Sequence, residues 1–523
     1  MAVFAMVACS DNDSPESGGS NGGNSGGDKA YITISHSEFN VSAEGETIAV
    51  EVKSNVGLDV TISSDVDWIV EGTKSSDTYY FDIIANDTYI GRMAEITFAN
   101  NENNISEKVT ISQKAENLPA NTIFYTSSDN NIVTPYKIDA FDATIVSNIY
   151  EEGVGGIITF DKGITKIGQH AFSNCSTLTN IVIPNGVISI ENVAFYGCKK
   201  LVTATIPDSV TSVGERIFIY CNELVSFYGK FASADGRCLI VDGELKAVAP
   251  ANLTSYNIPT GVTSIGDFLF SQTKLTSVTI PNGVTSIGNN AFSQMALTSV
   301  EIPNSVMSIG EEAFGECYNL TSVTIPDSVT WIGEGAFNDC SKLKAFYGKF
   351  ASPDNSCLIV DGVLIAFAGK DRGGYTIPDN VTRIGAKAFC SCNNIESVYI
   401  PDCVTSIGEM TFYNCRSLSY IVIPDGVTSI EYATFYGCRS LTKMILPESI
   451  TSIHSNAFTD CSSVVNIYCK PVTPPDLYLV FYTFKGLTSL QNIYVPTTSV
   501  DAYKAADGWK DYADIIVGYD FTE

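Results

Sequence analysis

The chain has 523 residues, 45% of them apolar and 17% charged, with 30 basic against 58 acidic side chains. A net charge of −28 repels phosphate backbones and anionic membrane surfaces, which argues against nucleic acid as a partner. No stretch approaches the roughly 20 apolar residues of a spanning helix, and the length exceeds one ordinary globular core.

Phe4 to Ala8 is a short apolar run that ends Met6-Val7-Ala8-Cys9, and residues 10–29 are rich in Gly, Ser, Asn and Asp, the composition of a flexible tether. A small residue before a cysteine at the end of an apolar run resembles a bacterial lipoprotein signal. The resemblance implies that Cys9 is lipidated and becomes the mature first residue. The acidic Asp11, Asp13 and Glu16 behind it are similar to the export signal of surface-displayed lipoproteins. The expected location is then the bacterial outer membrane, surface-exposed and held by the lipid anchor only. No Lys or Arg precedes Cys9, so the basic start of such a signal is missing or lies upstream.

Residues 30–115 have a different rhythm. Ile32 to Ile34, Phe39 to Val41, Ile48 to Val52, Val60 to Ile62, Phe81 to Ile84, Ala94 to Phe98 and Val109 to Ile111 are short alternating stretches between polar turns, the pattern of an immunoglobulin-like β-sandwich. The wording Asp67-Trp68-Ile69, Ala85-Asn86-Asp87, Gly91-Arg92-Met93-Ala94-Glu95-Ile96-Thr97 and Val109-Thr110-Ile111-Ser112-Gln113 resembles a BACON domain. Such domains are modules of surface proteins and are either carbohydrate or mucin binders or spacers. Trp68 is the candidate glycan contact, with a place in the sandwich core as the competing reading.

From residue 163 to 465 one sentence is written eleven times, most plainly as Ser328-Val329-Thr330-Trp331-Ile332-Gly333-Glu334-Gly335-Ala336-Phe337-Asn338-Asp339-Cys340. A fixed period means that each unit cannot bury its own apolar face and must share a core with its neighbours, so the expected architecture is a right-handed solenoid of 22–23-residue coils. The overall class is mainly β with short helices. Pro184, Pro207, Pro259, Pro281, Pro303, Pro326, Pro378, Pro401, Pro424 and Pro447 mark the period, with steps of 22 or 23 residues and two steps of 52. The two long steps carry nearly identical inserts near 227–250 and 346–369, each reading as a hairpin around a Gly-containing turn. Within a coil, Val323 and Ile325 alternate with Thr324, as in a strand with one inward face. Glu191, Glu431 and His454 stand where other coils have the motif glycine, so a left-handed backbone is not expected there. Residues 119–162 and 466–523 read as caps over the two ends.

The motif Ile-Gly-x-x-Ala-Phe-x-x-Cys with a following Ile-Pro resembles the BspA-type leucine-rich repeat surface proteins. That family is associated with adhesion to host extracellular matrix and epithelial cells. The resemblance implies a non-enzymatic surface protein that binds host extracellular protein, mucin or glycan, or other cells. A second reading is a carbohydrate-capture accessory lipoprotein in which the BACON-like domain binds and the repeats are scaffold.

His36, His170 and His454 are the three histidines, far apart in sequence, which supports neither a metal cluster nor a catalytic triad. No catalytic residue, metal or cofactor is expected. Cys175, Cys198, Cys221, Cys317, Cys340, Cys392, Cys415, Cys438 and Cys461 share one slot of their coils, which favours buried reduced thiols over a disulfide ladder. The candidate binding face is the outward strand position between two buried ones, where Val182, Thr205, Thr279, Glu301, Thr324, Tyr399, Val422 and Ile445 fall, with Tyr420 in the adjacent row. Hydroxyls and aromatics of this kind suit protein or glycan contact, and a threonine ladder that only stacks strands is the competing reading.

Overall fold

A computed structural model describes residues 29–63, 66–89, 91–114, 118–369, 373–478 and 480–522. Cys9 and the tether as far as residue 28 lie outside the described residues. The chain divides into two compact units, the first built from segments ending at Ser112 and the second dominated by the segment from Gln113 to Glu523.

The first unit holds two four-stranded sheets. One takes Ile32–Ile34, Glu46–Ser54, Thr78–Ile83 and Ile69–Ser75 in that order, the other Glu38–Val41, Ile105–Gln113, Arg92–Asn100 and Asp59–Ile62. Their alternate residues Ile48, Val50 and Val52, Phe81, Ile96 and Phe98, and Val109 and Ile111 form one core, as a sandwich requires. Strand Ile69–Ser75 has no counterpart in the alternation pattern because all its residues after Ile69 are exposed. Trp68 is only 7% exposed and belongs to this core. The indole is therefore largely covered, which weighs against its use as a sugar platform.

The second unit is a β-solenoid. Parallel pairing sets each coil one strand spacing from the next, with Asn180, Ile181 and Val182 opposite Thr203, Ala204 and Thr205. A second ladder of two-residue strands, Lys166–Ile167, Ser189–Ile190 and Ser212–Val213 among them, runs alongside. Because equivalent residues stack, the ladder phenylalanine of one coil lies on that of the next. Phe270, Phe292, Phe314 and Phe337 stand 5.1 to 5.4 Å apart with rings within 9° of parallel, an offset-stacked geometry that adds to their burial.

The motif glycine has a steric cause. Gly310 and Gly408 are not left-handed, but a Cβ on either would come within 2.6 Å of a backbone nitrogen in the coil before, Asn289 N and Ala386 N respectively. The left-handed turn falls two residues after that glycine and two residues before the ladder phenylalanine, at Asn290, Gly335 and Asn456 and also at Val193 with φ 54°. A β-branched residue is strained there.

The N-terminal cap is built by antiparallel pairing. Thr122–Ser127 pairs antiparallel with both Gly155–Phe160 and Leu178–Val182, so an antiparallel hairpin sheet starts the solenoid. At the other end a helix Val500–Ala505 and a 3₁₀ turn Trp509–Ile515 place Trp509 against the last phenylalanine of the stacked ladder, Phe484, at 5.7 Å. The Trp509 indole donates to Pro475 O at 2.8 Å and the Tyr503 hydroxyl to Pro471 O at 2.8 Å.

The two interruptions are whole coils of greater length. Ser226–Gly229 and Ala345–Gly348 continue the strand ladder, with Thr205 opposite Tyr228 and Thr324 opposite Tyr347. A hairpin follows, Cys238–Val241 with Glu244–Val248 in the first and Cys357–Val360 with Val363–Phe367 in the second. Its second strand pairs parallel with Ser264–Ile265 or Arg383–Ile384 and so takes the place of the coil's second ladder strand. The core divides at these hairpins into three clusters spanning residues 123–249, 238–368 and 357–516.

Two outcomes test this packing. Phe337→Ala empties a site 5.4 Å from both Phe314, on which the ring stacks, and Phe346, which it meets edge-on, and is expected to cost about 3 to 5 kcal/mol, while exposed Thr324→Ala changes little; equal losses in denaturant melts would reject the inward and outward assignment. Val193→Asn, which relieves a left-handed β-branched residue, is expected to raise stability by about 1 kcal/mol; a lower midpoint in the same melts would contradict the strain.

Candidate recognition surface

Pairing registers fix which residues share the outward row of the strand ladder. Thr279 and Thr324 are exposed between the buried pairs Val278 and Ile280 and Val323 and Ile325. Glu301 is exposed too, but residues 297–302 form no strand, so the ladder lapses at this coil. At its beginning the row is covered. Val182 is buried against Leu118 and Phe124, and Thr205 is half-buried with a hydroxyl that finds no hydrogen-bond partner. The expectation of one open hydroxyl face from Val182 onward is thus corrected to a face that opens after the first interruption.

The later coils have a different character. Tyr399 is 54% exposed and Tyr420 49%. Ser397 lies opposite Tyr420, and Val398 opposite Ile421, which puts the two tyrosines on neighbouring coils in adjacent rows. Lys443 Nζ sits 6.0 Å from the Tyr420 ring centroid, within cation–π range. The row then continues beyond the residues singled out from sequence. Ile445 lies opposite Tyr468, Tyr468 opposite Tyr494 and Tyr494 opposite Val517. Tyr468 and Tyr494 stack at 4.9 Å, and Tyr519 closes on both at 5.6 and 5.4 Å with Phe521 beside it at 4.9 Å. Val422 and Val517 are exposed within the same stretch.

Large aromatics therefore extend on this face beyond Tyr399 and Tyr420. Tyr347, in line with Thr324, is also exposed. The signal was present in the spacing: Tyr228, Tyr347 and Tyr468 each lie 23 residues after Thr205, Thr324 and Ile445. It was hidden because the long coils read as excursions and the last coils as a cap.

Among the described residues no group of three or more His, Cys, Asp or Glu side chains is placed to hold a metal ion. The three histidines have separate neighbours: His36 Nδ1 meets Ser35 Oγ at 3.1 Å, His170 Nδ1 meets Ser173 Oγ at 3.0 Å, and His454 Nε2 lies 3.6 Å from Glu431. The fourteen described cysteines are unbridged thiols. Seven of the nine slot-sharing thiols donate to a phenylalanine carbonyl of the coil before, as Cys198 to Phe172 O at 3.0 Å and Cys461 to Phe435 O at 3.0 Å, whereas Cys175 donates to Thr134 O and Cys392 to Cys390 O. Burial pushes the Cys461 thiol up to about 12, and burial together with neighbouring Cys198 does the same to Cys175. Cys403 differs. It is exposed and occupies the place that Ser328 has two residues after its proline, donating to Val381 O at 3.2 Å as Ser328 donates to Val306 O at 2.7 Å.

A stacked leucine-rich-repeat solenoid with an exposed, partly aromatic strand face defines the class. A family model described as the BspA type leucine rich repeat region matches in six copies over residues 143–231, 246–352 and 365–475, and the chain belongs to that family. Among solved structures, a leucine rich cell surface protein from Faecalibacterium prausnitzii is 26% identical with a TM-score of 0.44, covering 75% of this chain and 96% of its own. The pneumococcal vaccine antigen PcpA is 18% identical at a TM-score of 0.41, over 74% of this chain and 97% of its own. A leucine-rich repeat protein from Bacteroides ovatus is 22% identical at a TM-score of 0.31, over 74% of this chain and 100% of its own. No curated protein matches the sequence.

Because thiolate is the reactive form, brief maleimide treatment of the folded protein at neutral pH is expected to label Cys403 and to leave the laddered thiols unlabelled until denaturant is added. Peptide mapping that finds Cys198 or Cys438 labelled as fast as Cys403 would contradict the buried ladder.

Proposed function

We propose that this is a non-enzymatic recognition protein of the bacterial cell surface, anchored through a lipid on Cys9 to the outer membrane, that binds host extracellular protein, mucin or other cells through the strand face of its solenoid. The observation that carries this reading is the exposed run of Tyr399, Tyr420 and Val422 leading to the Tyr468, Tyr494 and Tyr519 cluster. Aromatic anchors dominate recognition energetics, and contiguous exposed apolar surface is the mark of an interaction site. Membership of the BspA-type repeat family supports the same reading, as does the adhesive role associated with that family. The excess of acidic side chains favours protein or glycan over nucleic acid.

In this reading residues 30–115 are a BACON-like spacer. The burial of Trp68 weighs against the alternative in which that domain captures carbohydrate. No step of the proposed activity requires a cofactor or metal.

The test compares the soluble chain with a Tyr399→Ala/Tyr420→Ala double variant and with Thr279→Ala in binding to immobilised mucin and to fibronectin-type matrix. Removing the two tyrosines is expected to weaken binding by roughly thirtyfold, about 2 kcal/mol, whereas Thr279→Ala leaves it within about twofold. Undiminished binding by the tyrosine variant would move the function off the strand face.

A further inference from the structure

We infer that a notch in the turn layer of the last repeats, bounded by Tyr432, Tyr436, Tyr482 and Lys485, binds a saccharide that bears a carboxylate. The notch arises from the stacking rule itself. Phe435, Phe458 and Phe484 stack at 5.6 and 5.9 Å, so the residues that follow them, Tyr436, Thr459 and Lys485, occupy one row on three successive coils. The backbone of these coils is zipped at this level, Gly437 N donating to Thr459 O and Asp460 N to Lys485 O, both at 2.8 Å. The middle coil has only small side chains here, Ser455, Asn456 and Thr459, while the coils on either side carry Tyr432 and Tyr436, and Tyr482 and Lys485. A gap one coil wide follows, of about 440 Å³, which lies within the usual range of roughly 300 to 1,000 Å³ for small-ligand sites.

Each wall has a chemical role. Tyr432 and Tyr482 are exposed, and tyrosine rings present an apolar face that suits the C–H face of a pyranose together with a hydroxyl that can hydrogen-bond to it. Tyr436 is held in place by stacking on Tyr413 at 4.8 Å. On the floor the Thr459 hydroxyl donates to the Tyr482 carbonyl, and the Asn456 carboxamide, with Oδ1 3.2 Å from the same hydroxyl, is the neighbouring polar group. Ser455 Oγ is a further polar group of the same floor. Lys485 supplies charge. Its ammonium lies 5.4 Å from the Tyr482 ring centroid, and among the described residues it forms no ion pair. Among the described residues it is the one charged side chain lining the notch. A neutral sugar would use the rings and the amide. An acidic sugar would use the lysine as well, and charge-assisted hydrogen bonds are the stronger ones.

This site is separate from the strand face of the proposed function, and the experiment keeps the two apart. Binding of lactose, sialyl-capped lactose and glucuronic acid to the soluble chain is measured by saturation-transfer NMR and titration calorimetry, with Tyr482→Ala, Lys485→Gln and the Tyr399→Ala/Tyr420→Ala variant alongside. Thermal melts check that the exposed substitutions leave the fold intact. The two acidic sugars are expected to bind about tenfold more tightly than lactose, the contribution of one charge-assisted hydrogen bond. Lys485→Gln should remove that preference, Tyr482→Ala should weaken both sugar types, and the strand-face variant should bind as the parent does. Equal affinity for neutral and acidic sugars, no binding of either, or a preference that survives Lys485→Gln would each overturn the inference.

Discussion

Everything in the solenoid follows from the stacking of equivalent residues at one strand spacing, roughly 4.8 Å. Once Asn180, Ile181 and Val182 lie opposite Thr203, Ala204 and Thr205, each side chain meets its own counterpart. Phenylalanine at the ladder position then stacks ring on ring, cysteine donates to the carbonyl of the coil before, and the outward rows repeat whatever chemistry the strand carries. A substitution in such a structure is felt by two neighbours and not by a distant core. The same rule makes a small residue between large ones open a gap, as Thr459 does between Tyr436 and Lys485.

Close approach explains the choice of residue where conformational preference does not. The motif glycine is favoured by the nearness of the preceding coil's backbone, as at Gly310 and Gly408, and coils with Glu191, Glu431 or His454 there hold the same ladder regardless. Left-handed backbone is demanded instead two residues before the ladder phenylalanine, where Asn and Gly fit and Val193 does not. Free thiols suit their slot for a related reason: a small polarizable side chain fills the space beside a phenylalanine and still satisfies a carbonyl.

The repeat class, the inward residues and the hairpin character of the two long coils were legible because period and alternation are written directly in the sequence. Three things were not. The antiparallel start of the solenoid depends on pairing between Thr122–Ser127 and a strand more than fifty residues away, and no local pattern encodes that partner. Burial of Val182 depends on Leu118 and Phe124, which lie outside the repeat. The continuation of the outward row into Tyr468 and Tyr494 required treating the last coils as members of the ladder even though their spacing and composition drift. Trp68 shows the general limit: its residue type allowed either a platform or a core, and only the packing of two sheets decides between them.

The division of the core at the hairpins has a mechanical consequence. Among the described residues, no strand pairing joins Ser226–Gly229 to Ser255–Asn257 or Ala345–Gly348 to Gly374–Thr376, and side-chain ion pairs bridge the same places, Lys246 with Glu215 at 2.5 Å and Lys387 with Glu312 at 2.6 Å. Backbone ladders resist shear as a row of bonds loaded together, while isolated ion pairs give way one at a time. Under tension between its two ends the solenoid therefore parts first at these two seams and yields in three sections. Each section keeps its own core while the others extend, so load is shed in steps and the chain lengthens before any one block is lost.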